Sequence, residues 1–127
     1  MSNVTRFSGH VPKGWGYEYI FATNDLYCGK LLHFSKAGNK FSMHFHRNKD
    51  ESWYVQKGSF TLKLINTENG SIEELVLNTK DSIRIYPLTV HQLVALEDDS
   101  EIIEVSTADS AEDNYRVMPG DNQLVNN

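Results

Sequence analysis

The chain has a single cysteine, Cys28, in 127 residues. No intrachain disulfide can form, and a lone cysteine in a β-rich run reads as a small buried apolar residue. No apolar run approaches the ~20 residues that a membrane-spanning helix needs. The N-terminus lacks the charged-then-apolar pattern of a secretory leader, so a cytoplasmic location is expected. Basic residues are few: 12 Lys and Arg against 17 Asp and Glu, a formal net charge of −5. That balance argues against nucleic acid or an anionic membrane as the main partner, while leaving room for a local basic pocket. Helical periodicity, internal repeats and low-complexity segments are also missing. The length is that of one domain with one core, placed at about residues 15–116 of 1–127 with polar tails on either side.

What the chain does have is a series of short β-rich runs separated by turn residues. Strands are expected at Tyr17–Ala22, Tyr27–Ser35, Phe41–His46, Ser52–Gln56, Ser59–Asn66, Ile72–Leu77, Ser82–Tyr86, Val90–Leu96 and Glu101–Ser106. Asn69-Gly70 lies between two of these runs and predicts a hairpin, because both residues tolerate positive φ. Phe60, Leu62 and Leu64 share one face, read as the inner one. Ser110–Asn114 is polar and acidic and reads as a loop or a single helical turn. The first few residues and Asp121–Asn127 are expected to fray. Strands with regular turns fit an all-β fold, an antiparallel double-stranded β-helix or jelly roll.

One stretch concentrates the chemistry. His44 and His46 are two apart on an expected strand, so both point to one face. Glu51 follows a short polar run that can turn its carboxylate back to the same point. His91 lies on a later strand. Burying several polar groups in one barrel costs free energy unless something pairs them, and a divalent metal does so. His, His, Glu and His accept Fe(II), Mn(II), Co(II), Ni(II) or Zn(II) without preference. They leave coordination positions open for Lewis-acid chemistry or oxygen activation. His10 and His33 fall outside this pattern.

Other residues enter by placement. Glu104 sits in Ile102-Ile103-Glu104-Val105; if buried near the metal, its pKa rises and it can serve as a base. Lys30 and Arg84 are strand-borne cations able to meet a phosphate or carboxylate. Trp53 and Tyr54 can stack on a sugar ring.

The run Gly38-x5-His44-x-His46-x4-Glu51-x6-Gly58 resembles the first motif of the cupin family at every fixed position. The second cupin motif, Gly-x5-Pro-x-Gly-x2-His-x3-Asn, is answered by Lys80 to His91, with Ala95 at the last place. Of its fixed residues only His91 is kept. The chain also resembles the C-terminal cupin domain of type II mannose-6-phosphate isomerases. Trp15-Gly16, Tyr27 with Lys30, Glu51-Ser52-Trp53, Ile103-Glu104-Val105, and Glu112-Asp113 with Arg116 carry that likeness. That family often has Gln at the place of His44, and its proline-glycine turn before the late histidine reads Tyr86-Pro87-Leu88-Thr89 here.

The resemblance implies one divalent metal on His44, His46, Glu51 and His91, and a sugar-phosphate isomerase with Glu104 as base. Lys30, Arg84 or Arg116 would then meet the phosphate of a small-molecule substrate. Cupins of this size also include non-haem Fe(II) dioxygenases and non-catalytic sugar-binding modules, which are the alternative expectations. A homodimer is expected by family analogy, with Met43 and Phe45, which alternate with the ligands, pointing outward.

Overall fold

The computed structural model describes residues 3–121. They form the strands β1 (His10–Lys13), β2 (Gly16–Thr23), β3 (Tyr27–Phe34), β4 (Met43–Phe45), β5 (Glu51–Lys57), β6 (Ser59–Ile65), β7 (Ile72–Asn78), β8 (Ser82–Ile85), β9 (Val90–Ala95), β10 (Ser100–Thr107) and β11 (Tyr115–Met118). The described residues contain no helix, and so none long and apolar enough to cross a membrane. One sheet has the order β1-β2-β3-β10-β5-β8, the other β11-β4-β9-β6-β7. The pairings within both are antiparallel. This is the jelly roll expected from the strand pattern.

Period-2 alternation puts every second side chain of a strand inside, and here the inner faces change character along their length. β3 buries Lys30, then Leu32 and Phe34; β10 buries Ile102, then Glu104 and Ser106; β5 buries Glu51, then Trp53 and Val55. Register stacks like with like. Ile102 lies opposite Leu32 and Val55, while Glu104 lies opposite Lys30 and Ser106 opposite Glu51. In the other sheet Leu62 faces Leu93, and the next inward pair is Leu64 with His91. One end of the barrel is therefore an apolar core and the other a charged mouth.

The core is aromatic. Trp15 stacks on Phe34 at 4.5 Å, and Phe34 meets Phe60 edge-on at 5.1 Å. Phe34, Phe60, Leu62, Leu93 and Ile102 are wholly buried, each contributing about 1.5–3 kcal/mol.

Several expectations shift. β4 is shorter than Phe41–His46, because Phe41 and Ser42 leave the ladder. β1 and β11 escape a periodicity reading, being only four residues long. Met43 is buried, at 1% exposed. Phe45 is half-buried, and the ring of Tyr115, its cross-strand neighbour on β11, stacks on it at 5.1 Å. The β6–β7 hairpin forms, but its turn runs from Asn66 to Ser71 with Gly70 at φ 75°, longer than a two-residue Asn-Gly turn. Asp121 is held by Lys40, whose N–H donates to its carboxylate at 2.8 Å; the expected fraying of 122–127 and of the first two residues lies outside the described residues. Ser110–Asn114 is irregular, with turns and no strand.

The turn before His91 is the informative departure. Lys80 and Leu88 stand where the cupin motif has glycines, and both adopt positive φ, 78° and 68°. Hydrogen bonds hold them there: Lys80 N–H donates to Val55 O at 2.9 Å and Leu88 N–H to His46 O at 2.7 Å. An L-residue in this region costs about 1–2 kcal/mol, of which glycine's extra unfolded entropy would return about 0.5–1 kcal/mol. Lys80→Gly is expected to raise stability by about 0.5 kcal/mol in urea unfolding, and Lys80→Val to lower it. A less stable Lys80→Gly would mean that the lysine side chain, not the backbone bonds, fixes the turn.

Candidate metal centre

His44, His46 and His91 come from facing positions on β4, the segment just after it, and β9, with His44 directly opposite His91. One ring nitrogen from each lies within 4.8 Å of the others. Their tautomers follow from their partners. His44 Nδ1 lies 2.7 Å from Ser42 O, His46 Nδ1 2.6 Å from Asp113 O, and His91 Nδ1 2.8 Å from Thr89 O. A carbonyl oxygen only accepts, so each Nδ1 carries the proton and each Nε2 keeps a free lone pair. Burial disfavours the charged form in all three, holding His44 well below the ordinary range, His46 below it and His91 at about 4. Neutral imidazoles with free Nε2 atoms are the form that binds metal.

Two buried atoms here have no hydrogen-bond partner among the described residues, His91 Nε2 and Glu51 Oε2. Glu51 Oε2 lies 3.3 Å from His46 Nε2, so the lone pairs of two acceptors face one another. A cation resolves that conflict; so does a proton on Glu51. Burial first, and then the neighbouring Glu104 charge, raise the Glu51 pKa well above the usual carboxylate range. Trp53 Nε1 donates to Glu51 Oε1 at 2.6 Å and fixes the carboxyl in place. The donor set fits a divalent ion held by the three histidines with Glu51 beside them.

Next to the histidines lies a network of buried charge. Lys49 Nζ sits 2.9 Å from Glu104 Oε2 and 3.4 Å from Asp109 Oδ1. Lys30 Nζ sits 3.1 Å from Glu18 Oε1 and 3.0 Å from Asp109 Oδ2. Burial opposes both ammonium charges, but the carboxylates, Glu104 foremost, outweigh it and raise both pKa values. Burial also opposes the Glu104 charge, yet Lys49 and then Lys30 hold its pKa below the ordinary value. Glu104 is thus the ionised member of the Glu51–Glu104 pair. These groups line a cavity of about 400 Å³ with Trp15, Leu32 and Phe41 on its apolar side.

Solved structures of other proteins share this architecture. KdgF from Halomonas sp. superposes with a TM-score of 0.64 at 26% identity, over 76% of this chain and 81% of that one. CapF, a capsular polysaccharide assembling protein from Staphylococcus aureus, gives 0.74 at 16% identity, over 86% and 32%. Oxalate decarboxylase from Bacillus subtilis gives 0.75 at 18%, over 92% and 33%. The fold is a cupin barrel. The chain spans about a third of the length of CapF and oxalate decarboxylase. No family model and no curated protein matches its sequence.

The cupin barrel brings His44, His46, Glu51, His91, Glu104, Lys30 and Arg116 to one cavity. It does not bring the other expected residues there. Trp53 is a buried core residue; it acts on the site through its bond to Glu51 and has no face for a ligand. Tyr54 alternates with it, so it points outward and is 41% exposed. Arg84 is on the outer side too, paired with Asp50 at 2.6 and 3.0 Å and lying over the Tyr86 ring at 4.2 Å. His33 bonds to Glu101 and Asp99 away from the cavity.

Sequence reasoning missed Lys49, Glu18 and Asp109, and singled out Asp113 only as part of the family likeness. Lys49 lies between two ligands, and that position was its one signal. The Asp113 carboxylate accepts from the N–H groups of Arg47, Asn48 and Lys49 at 2.6, 3.1 and 2.9 Å. Its own carbonyl orients His46, so one residue braces the turn that carries both ligands. Nothing in a polar loop announces such a role.

Depressed histidine pKa values make metal-free stability depend on pH. Between the ordinary 6.5 and the folded value of about 4 for His91, the unfolded chain binds a proton that the folded chain does not. Stability then rises with pH through that window. Replacing His91 with Gln is expected to reduce the stability lost between pH 7 and pH 5 by about 2 kcal/mol, read by urea unfolding in chelator. An unchanged slope would mean that His91 titrates normally.

Proposed function

We propose that the chain is a metal-dependent isomerase acting on a small sugar-type carbonyl compound. The form implied by the resemblance to type II mannose-6-phosphate isomerases is a hexose phosphate. The observation that carries this reading is one cavity lined by three neutral imidazoles and a buried, ionised Glu104. The cavity volume of about 400 Å³ suits a ligand of that size. The description of CapF as a capsular polysaccharide assembling protein supports a saccharide ligand.

A divalent ion on His44, His46 and His91 with Glu51 supplies a Lewis acid when bound. The chain's own groups do the remainder. Glu104 Oε1, the oxygen not bonded to Lys49, takes the proton from the hydroxyl-bearing carbon beside the carbonyl and returns it to the former carbonyl carbon, while the hydroxyl proton passes to the former carbonyl oxygen. Lys49 keeps Glu104 ionised without competing for that proton. Trp15, Leu32 and Phe41 exclude water from one side. Arg116, and Lys13 with its Nζ 3.9 Å from Glu18 Oε2 at the edge of the network, are the remaining cavity cations, and they meet the phosphate in this reading.

The three histidines with a carboxylate also suit a non-haem Fe(II) dioxygenase, and one experiment separates the readings. Metal-loaded protein is incubated with mannose 6-phosphate or fructose 6-phosphate in deuterated water and followed by proton NMR. Isomerisation is expected, with deuterium entering at C1 of fructose 6-phosphate and at C2 of mannose 6-phosphate. Glu104→Gln should slow it by about 10²–10⁴-fold with metal content unchanged, whereas His91→Ala should lose the metal. Oxygen uptake with Fe(II) and no exchange would assign a dioxygenase; ligand-induced stabilisation without product would assign a binding module.

A further inference from the structure

The two buried ammoniums share three carboxylates, and one of the three bridges both. Lys30 has Glu18 at 3.1 Å and Lys49 has Glu104 at 2.9 Å, and both of those carboxylates stand on strands. Asp109 is the additional one. It reaches Lys30 with Oδ2 at 3.0 Å and Lys49 with Oδ1 at 3.4 Å, one oxygen to each. Each ammonium keeps a strand-borne partner if Asp109 withdraws.

Asp109 also differs in its support. It belongs to residues 108–114 between β10 and β11, which pair with no strand. Its side chain is 32% exposed, whereas those of Lys30 and Lys49 are 9% and 5% exposed. The fixed point of the segment is Asp113, through its bonds to Arg47, Asn48, Lys49 and His46. Past that anchor, the bonds of Asp109 to the two lysines are what hold its carboxylate in the cavity.

We infer that the point between Lys30 and Lys49 is an anion subsite of the cavity, filled by the Asp109 carboxylate in the free protein and taken over by the carboxylate of a small anionic ligand. The geometry is that of a planar group with two oxygens, each meeting one ammonium, which matches a carboxylate. Displacement exchanges one carboxylate for another, so the buried lysines are never left uncompensated. The subsite itself rests on these distances and needs neither metal nor turnover. The substrate class it implies, a sugar derivative carrying a carboxylate, rests on the isomerase reading.

Formate is the probe, applied to the full chain with chelator present so that no metal reports its binding. Thermal unfolding of Asp109→Ala is compared in sodium formate, sodium phosphate and sodium chloride at equal ionic strength. Formate at about 100 mM is expected to raise the midpoint of Asp109→Ala by about 3–5 °C over chloride, and that of the wild type by less than about 1 °C. The double variant Lys30→Gln/Asp109→Ala should lose the response. A formate response no larger than in the wild type, or an equal one in the double variant, overturns the subsite. A larger shift in phosphate than in formate overturns the assignment to a carboxylate. If Asp109→Ala does not fold in chloride, its refolding yield is the readout: recovery in formate supports the subsite, and no recovery overturns it. Loss of isomerase activity alone would leave the formate result untouched, so the two readings fail separately.

Discussion

A charge inside a protein must find an opposite charge, and the open half of this barrel is organised by that requirement. Lys30, Glu18 and Glu104 stand on strands of that half, and Lys49 and Asp109 reach them from the segments between strands. Removing Lys49 strands Glu104 in low dielectric, at a cost of about 3–5 kcal/mol for a broken buried pair. Glu104 is ionised because Lys49 is beside it, and the Glu51 pKa is raised because that carboxyl is buried next to an ionised Glu104. Chemistry at the mouth depends on which partner each charge has.

The histidines are oriented by a different device. Their Nδ1 protons go to the carbonyls of Ser42, Thr89 and Asp113, all outside the strands. The barrel supplies the convergence of the rings, and irregular backbone supplies their tautomer. This division explains why the segment carrying Asp113 belongs to the metal site although it lies more than sixty residues from His46 in sequence.

The sequence made the barrel and its histidines readable, because period-2 alternation and short ligand spacing are local signals. His44 and His46 share a face whatever the rest of the chain does. Roles set by partners from distant strands were not readable. Lys49 looks like any loop lysine until β10 brings Glu104 to it, and Arg84 looks like a ligand-binding cation until Asp50 is seen across the strand pair. Trp53 and Tyr54 show the limit of residue type: adjacent aromatics on one strand go to opposite sides, and which goes inward depends on where Glu51 begins the strand. Met43 is buried although alternation puts it on the face opposite His44, and β11, paired beside it, is too short to show a period.

The turn before His91 has a consequence for how such sites are found. Lys80 and Leu88 hold the torsions of absent glycines because the carbonyls of Val55 on β5 and of His46 just past β4 clamp their N–H groups. Backbone shape can therefore outlast the letters by which it is usually spelled. A pattern written in residue types passes over this turn, whereas one written in dihedral angles, two left-handed residues eight apart with a histidine three beyond the second, would pick it out.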